Sequence, residues 1–181
     1  DRSLVGVVAH ELAHSWTGNL VTNANAEHFW LNEGFTVYAE RRIQEVVEGP
    51  EMCALHAAIG RKALDRAVAR LAKTPEHTRL RTELAGVDPD EVFSEVPYEK
   101  GYLFLQRMEE VAGRAAFDAM LRRYLAEFRF KSVTTDDFLA VVRREQPGLL
   151  EKVDAAAWLD QPGVPATAPR ARSARLEAVE A

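Results

Sequence analysis

The chain has 181 residues, an apolar share of 47% and a formal net charge of −5, which suits one domain with a real core. No basic patch dominates, so nucleic acid is not an expected partner, and the single cysteine, Cys53, excludes a disulfide framework within the chain and fits a reducing compartment. There is no secretory signal and no apolar run of bilayer length, so a cytoplasmic location and no membrane partner are expected.

Helical periodicity dominates and strand-like alternation is scarce, so a mainly α chain is expected. The chain opens on Asp1, nine residues before a histidine pair. A helix carrying chemistry at a bare terminus would fray, so a piece of a longer protein is expected. The first helix should run from about Ser3 to Trp16 and stop near Gly18. "VTNANAEHF" reads as a loop. A second helix should begin near Leu31 and end before Glu48–Pro50, and a third should cover about Glu51 to Ala72. Thr74 to Asp88 is rich in turn formers. Asp88-Pro89 looks like a cap with proline at the first helical position, opening a short helix toward Phe93. Another helix should run from about Tyr98 to Val111, where Gly113 breaks it, and the next to about Phe128. Thr134 with Asp137 forms a capping-box pattern that starts a helix to Arg144. "VDAAAWL" near Asp154 reads as a last short helix. "QPGVPATAPRARSAR", Gln161 to Arg175, has no apolar period and reads as a linker, with "LEAVEA" after it a possible first turn of something further.

The chemistry sits in "VVAHELAHSWTGNL", Val7 to Leu20. Residues four apart share a helix face, so His10 and His14 can point two imidazoles at one spot. Neutral imidazole is a good zinc ligand. Glu11 is rotated about 100° from His10, so it misses the metal but can reach a water on it. This is the HExxH arrangement, with the glutamate as general base. The bland alternative is a helix with two incidental histidines, but an unpaired pair in apolar company would lose hydration without return. Catalytic zinc takes three protein ligands and keeps one position open for water. A third histidine at the metzincin spacing is absent, since Thr17 and Leu20 stand there. Glu33 follows His14 after eighteen intervening residues, among Phe29, Trp30, Leu31 and Phe35. An acid in such company needs a partner. Alone it would read as a helix N-terminal charge; after HExxH it reads as the third ligand.

HExxH, eighteen residues and then "NEGFTVYAE" resembles the gluzincin aminopeptidases, the aminopeptidase-N-like zinc family. "AHELAHSWTGNLVTNANAEHFWLNEGFTVYAERRI" and "DPDEVFSEVPYEKGYLFL" look most like the branch containing leukotriene A-4 hydrolase. The resemblance extends over nearly all of Asp1 to Pro165. It implies the helical half of a thermolysin-like zinc peptidase catalytic domain over residues 1–160. It also implies that 161–181 is a linker toward a C-terminal domain not in this chain. It implies one Zn²⁺ held by His10, His14 and Glu33, with Glu11 as the base that takes a proton from water and hands it to the leaving amine. Tyr98 matches the family tyrosine that donates to the tetrahedral oxyanion, a sensible role for a phenol. Without the resemblance it would read as a helix-start aromatic on the core.

Glu40, two turns beyond Glu33, reads equally as a group that steers a ligand from behind or as a solvated charge. Asn32 could steer likewise. Asp90 matches a carboxylate that epoxide-hydrolysing relatives use to direct water, but its plainer reading is a first-turn helix charge. His28, His56 and His77 read as surface or packing. Trp16 and Trp30 read as core, and the pairs Arg41-Arg42, Arg122-Arg123 and Arg143-Arg144 as solvated helix faces. The family's Gly-x-Met-Glu-Asn strand, which reads the substrate's amino terminus, is not in the chain. The expected function is therefore a zinc aminopeptidase acting on peptides with free N-termini, completed by N- and C-terminal domains of the same polypeptide. As an isolated piece it would hydrolyse poorly. The alternatives are a bifunctional epoxide hydrolase/aminopeptidase and an inactive helical interaction module. A thermolysin-type endopeptidase shares HExxH and a distant glutamate, but "VPYEKG" favours the aminopeptidases.

Overall fold

A computed structural model describes residues 4–88 and 94–180. The short helix expected after Asp88 and the carboxylate of Asp90 lie outside the described residues. The helices are α1 (Val5–Ala13), α2 (Trp30–Glu48), α3 (Pro50–Arg70), α4 (Gly101–Ala112), α5 (Arg114–Glu127), α6 (Thr135–Glu145), α7 (Leu149–Lys152), α8 (Ala155–Leu159) and α9 (Ala174–Glu180). A mainly α chain is what the periodicity implied. No helix among the described residues is long and apolar enough to cross a membrane.

α2 is the axis of the fold and packs against α1, α3 and α4. Its inner face carries Trp30 and Phe35 into an aromatic core with Phe104, Tyr124 and Phe138, at ring separations of 5.1–5.8 Å. Such edge and tilted contacts add to the area that each ring buries. The buried indole of Trp30 still needs an acceptor for its N–H, and Thr135 Oγ1 supplies it at 3.0 Å. That bond ties the start of α2 to the start of α6. Thr134 and Asp137 close the expected capping box there: the Thr134 amide donates to Asp137 Oδ2 at 2.8 Å and the Asp137 amide to Thr134 Oγ1 at 3.3 Å.

Several boundaries differ from expectation for identifiable reasons. α1 ends at Ala13, not Trp16, because the Thr17 carbonyl accepts from His14 Nδ1 at 2.9 Å, which folds the chain back. Gly18 makes that reversal with φ +124°, a region that only glycine enters without cost. Part of the expected loop is a strand, β1 (Val21–Asn23). It pairs in parallel with β2 (Lys131–Val133), Val21 opposite Lys131 and Asn23 opposite Val133. Three-residue strands are too short to leave a period in the sequence. The helix expected from Tyr98 is split: Val96–Lys100 forms a π-helical turn, and α4 begins at Gly101. α7 lacks a recognisable signal, being four residues after Gly148 in the left-handed region. Residues 161–173 hold no helix or strand, yet Ala168 and Ser173 are buried, and α9 packs on α3.

Two side-chain expectations are corrected. Trp16 is not core: it is 49% exposed and continues an outward stripe of α1 with Leu4, Val8 and Leu12. Arg41 is not on a solvated face: it is 6% exposed, paired with Glu99 and stacked on the ring of Tyr102 at 4.2 Å. Trp30 is buried as expected, and the exposed pairs Arg122-Arg123 and Arg143-Arg144 also match.

Candidate metal centre

α1 and α2 cross so that His10, His14 and Glu33 face one another. One donor atom from each lies within 4.8 Å of the other two. His10 Nε2 is 3.3 Å and His14 Nε2 is 3.6 Å from the same oxygen, Glu33 Oε2. The two distances to Glu33 are close to the roughly 3.3 Å edge of a tetrahedron with bonds of about 2.0–2.1 Å, and the full spread of the three donors reaches 4.8 Å. Glu33 sits in the first turn of α2, where the helix dipole favours its charge.

Each imidazole is held by its other nitrogen. His10 Nδ1 is 3.1 Å from Glu40 Oε2, and His14 Nδ1 is 2.9 Å from the Thr17 carbonyl. A carbonyl cannot donate, so His14 Nδ1 carries the hydrogen and the Nε2 lone pair points at the centre. Glu40 does the same for His10. Acceptors behind histidine ligands of this kind set the tautomer and the ring orientation. Glu40 is therefore not a solvated charge: it meets the His10 ring from behind. It is held in turn by the amide of fully buried Gln44 at 3.3 Å. Thr36 braces the His14 side: its hydroxyl meets His14 Nδ1 at 3.2 Å and donates to the Thr17 and Asn32 carbonyls. Asn32 does not reach a ring nitrogen of His10 or His14 by a hydrogen bond; its amide donates to Asn23 Oδ1.

The donor set fits a divalent cation. Glu33 Oε2 is buried and accepts no hydrogen bond, a state that costs free energy unless something positive meets it. The carboxylates of Glu33 and then Glu40 raise the His10 pKa to about 9, so a cation bound there would compete with a proton. Two imidazoles and one carboxylate form a common catalytic zinc set.

Glu11 lies beside His10 on α1, exposed, and no described residue hydrogen-bonds its carboxylate. Tyr98 projects from the π-helical turn toward the same region. Its ring stacks on His10 with centroids 6.3 Å apart and meets Phe29 edge-on at 5.9 Å. Burial, then the charges of Glu33 and Glu95, push its phenol up to about 12, so the hydroxyl stays a donor at neutral pH. π-helical turns are rare and often sit at functional sites. The other histidines stay apart: His28 accepts from the Thr135 amide at 3.3 Å, and His56 lies 3.8 Å from Glu48.

The turn that carries Tyr98 also holds Lys100, fully buried, which donates to the carbonyls of Thr78 and Gln161 at 2.8 and 2.9 Å. The sequence offered no hint of this, because a lysine in "YEKG" reads as surface. Burial lowers its pKa from 10.5 to about 7. Folding therefore sheds a proton between about pH 7 and 10.5, and stability rises with pH through that window. Lys100→Met leaves two carbonyls unpaired at every pH but removes the slope. In denaturant melts at pH 7.5 to 9.5, the protein should gain about 1.4 kcal/mol per pH unit relative to the variant. Parallel pH dependences would contradict this.

Two imidazoles of an HExxH helix and a buried carboxylate of the next helix, brought to one point, form the arrangement found in zinc peptidases. The model of the peptidase family M1 domain matches residues 1–158, and the chain belongs to that family. Leucine aminopeptidase 2 of Aspergillus terreus is 47% identical over 171 residues, which cover 91% of this chain and 28% of that protein. Among solved structures, native leukotriene A-4 hydrolase from Saccharomyces cerevisiae superposes with a TM-score of 0.86 at 44% identity, over 92% of this chain and 27% of that one. An M1 zinc metallopeptidase from Deinococcus radiodurans gives 0.70 at 28% identity, over 93% of this chain and 35% of that one. The fold is thus the helical part of an M1 peptidase domain, and the chain spans little more than a quarter of the first relatives it matches.

Proposed function

We propose that this chain is the metal-holding helical part of a zinc aminopeptidase, which removes residues from peptides with free N-termini. The observation that supports this reading most is the convergence of three donor atoms from two helices, with each imidazole already fixed from behind. His10, His14 and Glu33 would hold one Zn²⁺. Zinc bound there would supply Lewis acidity and make water a better acid. Glu11 takes the proton from the attacking water and passes it to the leaving amine. Tyr98 donates its hydroxyl hydrogen to the oxygen on which negative charge develops. Stacked on His10 and backed by Phe29, its ring has little freedom to swing away.

The names of the relatives motivate the reaction class, and the chain's coverage of little more than a quarter of their length supports the reading that further domains of the same polypeptide complete the substrate site. The test uses the full-length protein. Zinc-supplied expression should yield about one zinc per chain, and aminoacyl anilides should be hydrolysed. Protein without zinc and without turnover would leave the interaction-module reading standing. A second reading, epoxide hydrolysis beside peptide hydrolysis, draws on the leukotriene A-4 hydrolase name of its relatives. An epoxide substrate in the same panel separates the two. Tyr98→Phe removes one donor to the developing oxyanion and should lower kcat by about 10²–10³-fold. KM and zinc content should hold. A variant with wild-type kcat would remove Tyr98 from the mechanism.

A further inference from the structure

Tyr98, Glu99 and Lys100 are consecutive, and the π-helical turn sends them three ways. Tyr98 stacks on His10, Lys100 is held by two carbonyls, and Glu99 meets the guanidinium of Arg41. That last contact is bidentate: Arg41 Nη1 donates to Glu99 Oε2 at 2.9 Å and Nη2 to Oε1 at 2.8 Å. Nη2 also reaches the His56 carbonyl at 3.4 Å, and Tyr102 lies under the guanidinium plane. Room is made for the pair. A β-carbon at Gly60, inside α3, would collide with the Glu99 carboxylate and with Arg41 Nη2.

Arg41 lies seven residues after Gly34, so the two share one face of α2. At Gly34 a β-carbon would come within 2.8 Å of the Gly101 Cα, so α2 and the end of the π-helical turn meet backbone to backbone. The adjoining face of α2 carries Glu33 and Glu40, also seven apart. One rigid helix therefore holds the carboxylate of the metal centre on one side and the mount of Tyr98 on the other. Stability alone does not account for the ion pair, because apolar groups of similar volume often serve a fold as well as a buried pair does. What apolar groups lack is a geometry that admits one register. The planar guanidinium fork has one.

Resting on the role of Tyr98 given above, we propose that Arg41 and Glu99 are positioning residues. Their pair locks the π-helical turn onto α2 and so sets where the Tyr98 hydroxyl stands relative to His10 and Glu33. Neither touches the substrate.

The experiment is a mutant cycle in the zinc-loaded full-length protein. The pair is removed as a unit, Arg41→Met with Glu99→Met, so that no lone charge is left buried. It is compared with Tyr98→Phe and with the triple variant. The paired variant should lose about 10–100-fold in kcat, the scale of a small misplacement of a reacting group, while KM and zinc content hold. The triple variant should be no slower than Tyr98→Phe alone. Wild-type kcat in the paired variant overturns the proposal. So does a triple variant that loses the same factor again, because the effect then bypasses the tyrosine. Wild-type kcat in Tyr98→Phe would instead refute the role of the tyrosine itself, and this proposal with it. If the paired variant does not fold, Arg41→Lys keeps the charge but not the fork. It should lower kcat only when Tyr98 is present, and an unchanged kcat there would also overturn the proposal.

Discussion

Glu11→Gln in the full-length protein should retain zinc and lose about 10²–10⁴-fold in kcat, the range that a positioned general base supplies. Glutamine has the size and shape of glutamate, so neither the packing of α1 nor the two imidazoles should move. Only the ability to take a proton is lost. The position favours so clean an effect. Glu11 is exposed beside His10, and no described residue hydrogen-bonds its carboxylate. Replacing it therefore leaves no partner unsatisfied among the described residues. The three donor atoms belong to other residues, His10, His14 and Glu33. Metal analysis beside turnover of an aminoacyl anilide makes the check. Full zinc with turnover within tenfold of wild type would show that the base is elsewhere. Loss of zinc would show that Glu11 supports the centre as well as the reaction.

Zinc should also hold the fold together, and Glu33→Gln should abolish that effect. The two histidines belong to α1 and the carboxylate to α2, so a cation on all three cross-links the helices. A ligand at a thousand times its dissociation constant stabilises the native state by about 4 kcal/mol. For a unit of 150–250 residues, 1 kcal/mol moves the melting temperature by about 2–4 °C, so a chelator should lower it by about 8–16 °C. Glutamine at position 33 offers a neutral amide oxygen where a charged donor is needed, and the melt of Glu33→Gln should ignore the chelator. Protein that melts at the same temperature with and without chelator would contradict a cation between the helices. α1 makes the effect readable. It is a nine-residue helix with an exposed apolar stripe and only two small buried residues, Ala9 and Ala13, and its His10 meets Glu33 and Glu40 of α2.

The part of the centre legible in the sequence is the part that lies within one helix. His10 and His14 are one turn apart, and a helix of any length puts them on one face. The capping box at Thr134 and the break at Gly113 were legible for the same reason, since their geometry closes within a few residues. Glu33 was harder. Eighteen intervening residues carry no geometric instruction, and only its place after the HExxH pattern made it a candidate ligand. Glu40 stayed ambiguous because a charge two turns on looks the same whether it faces water or a histidine. Gln44 and Thr36 lie on the same side of α2 and could have been suspected by counting, but only once that side was known to face the metal centre. Arg41, Glu99 and Lys100 could not have been found this way. Charged residues are surface residues by default, and their burial depends on partners that are 58 residues apart for the ion pair and 22 and 61 for the lysine.

From its order of residues alone, this protein determined a mainly helical chain, a histidine pair on one helix face with a glutamate beside it, and a family. The tertiary structure decided the rest. It set where α1 stops, because a carbonyl is needed behind His14. It brought the Glu33 carboxylate to the two imidazoles, because α2 crosses α1 there. It turned Tyr98 inward, because a π-helical turn is pinned by buried charges. Periodicity is a property of neighbours along the chain and can be read from them. A carboxylate's partner is a property of neighbours in space, and those exist only after the helices have packed.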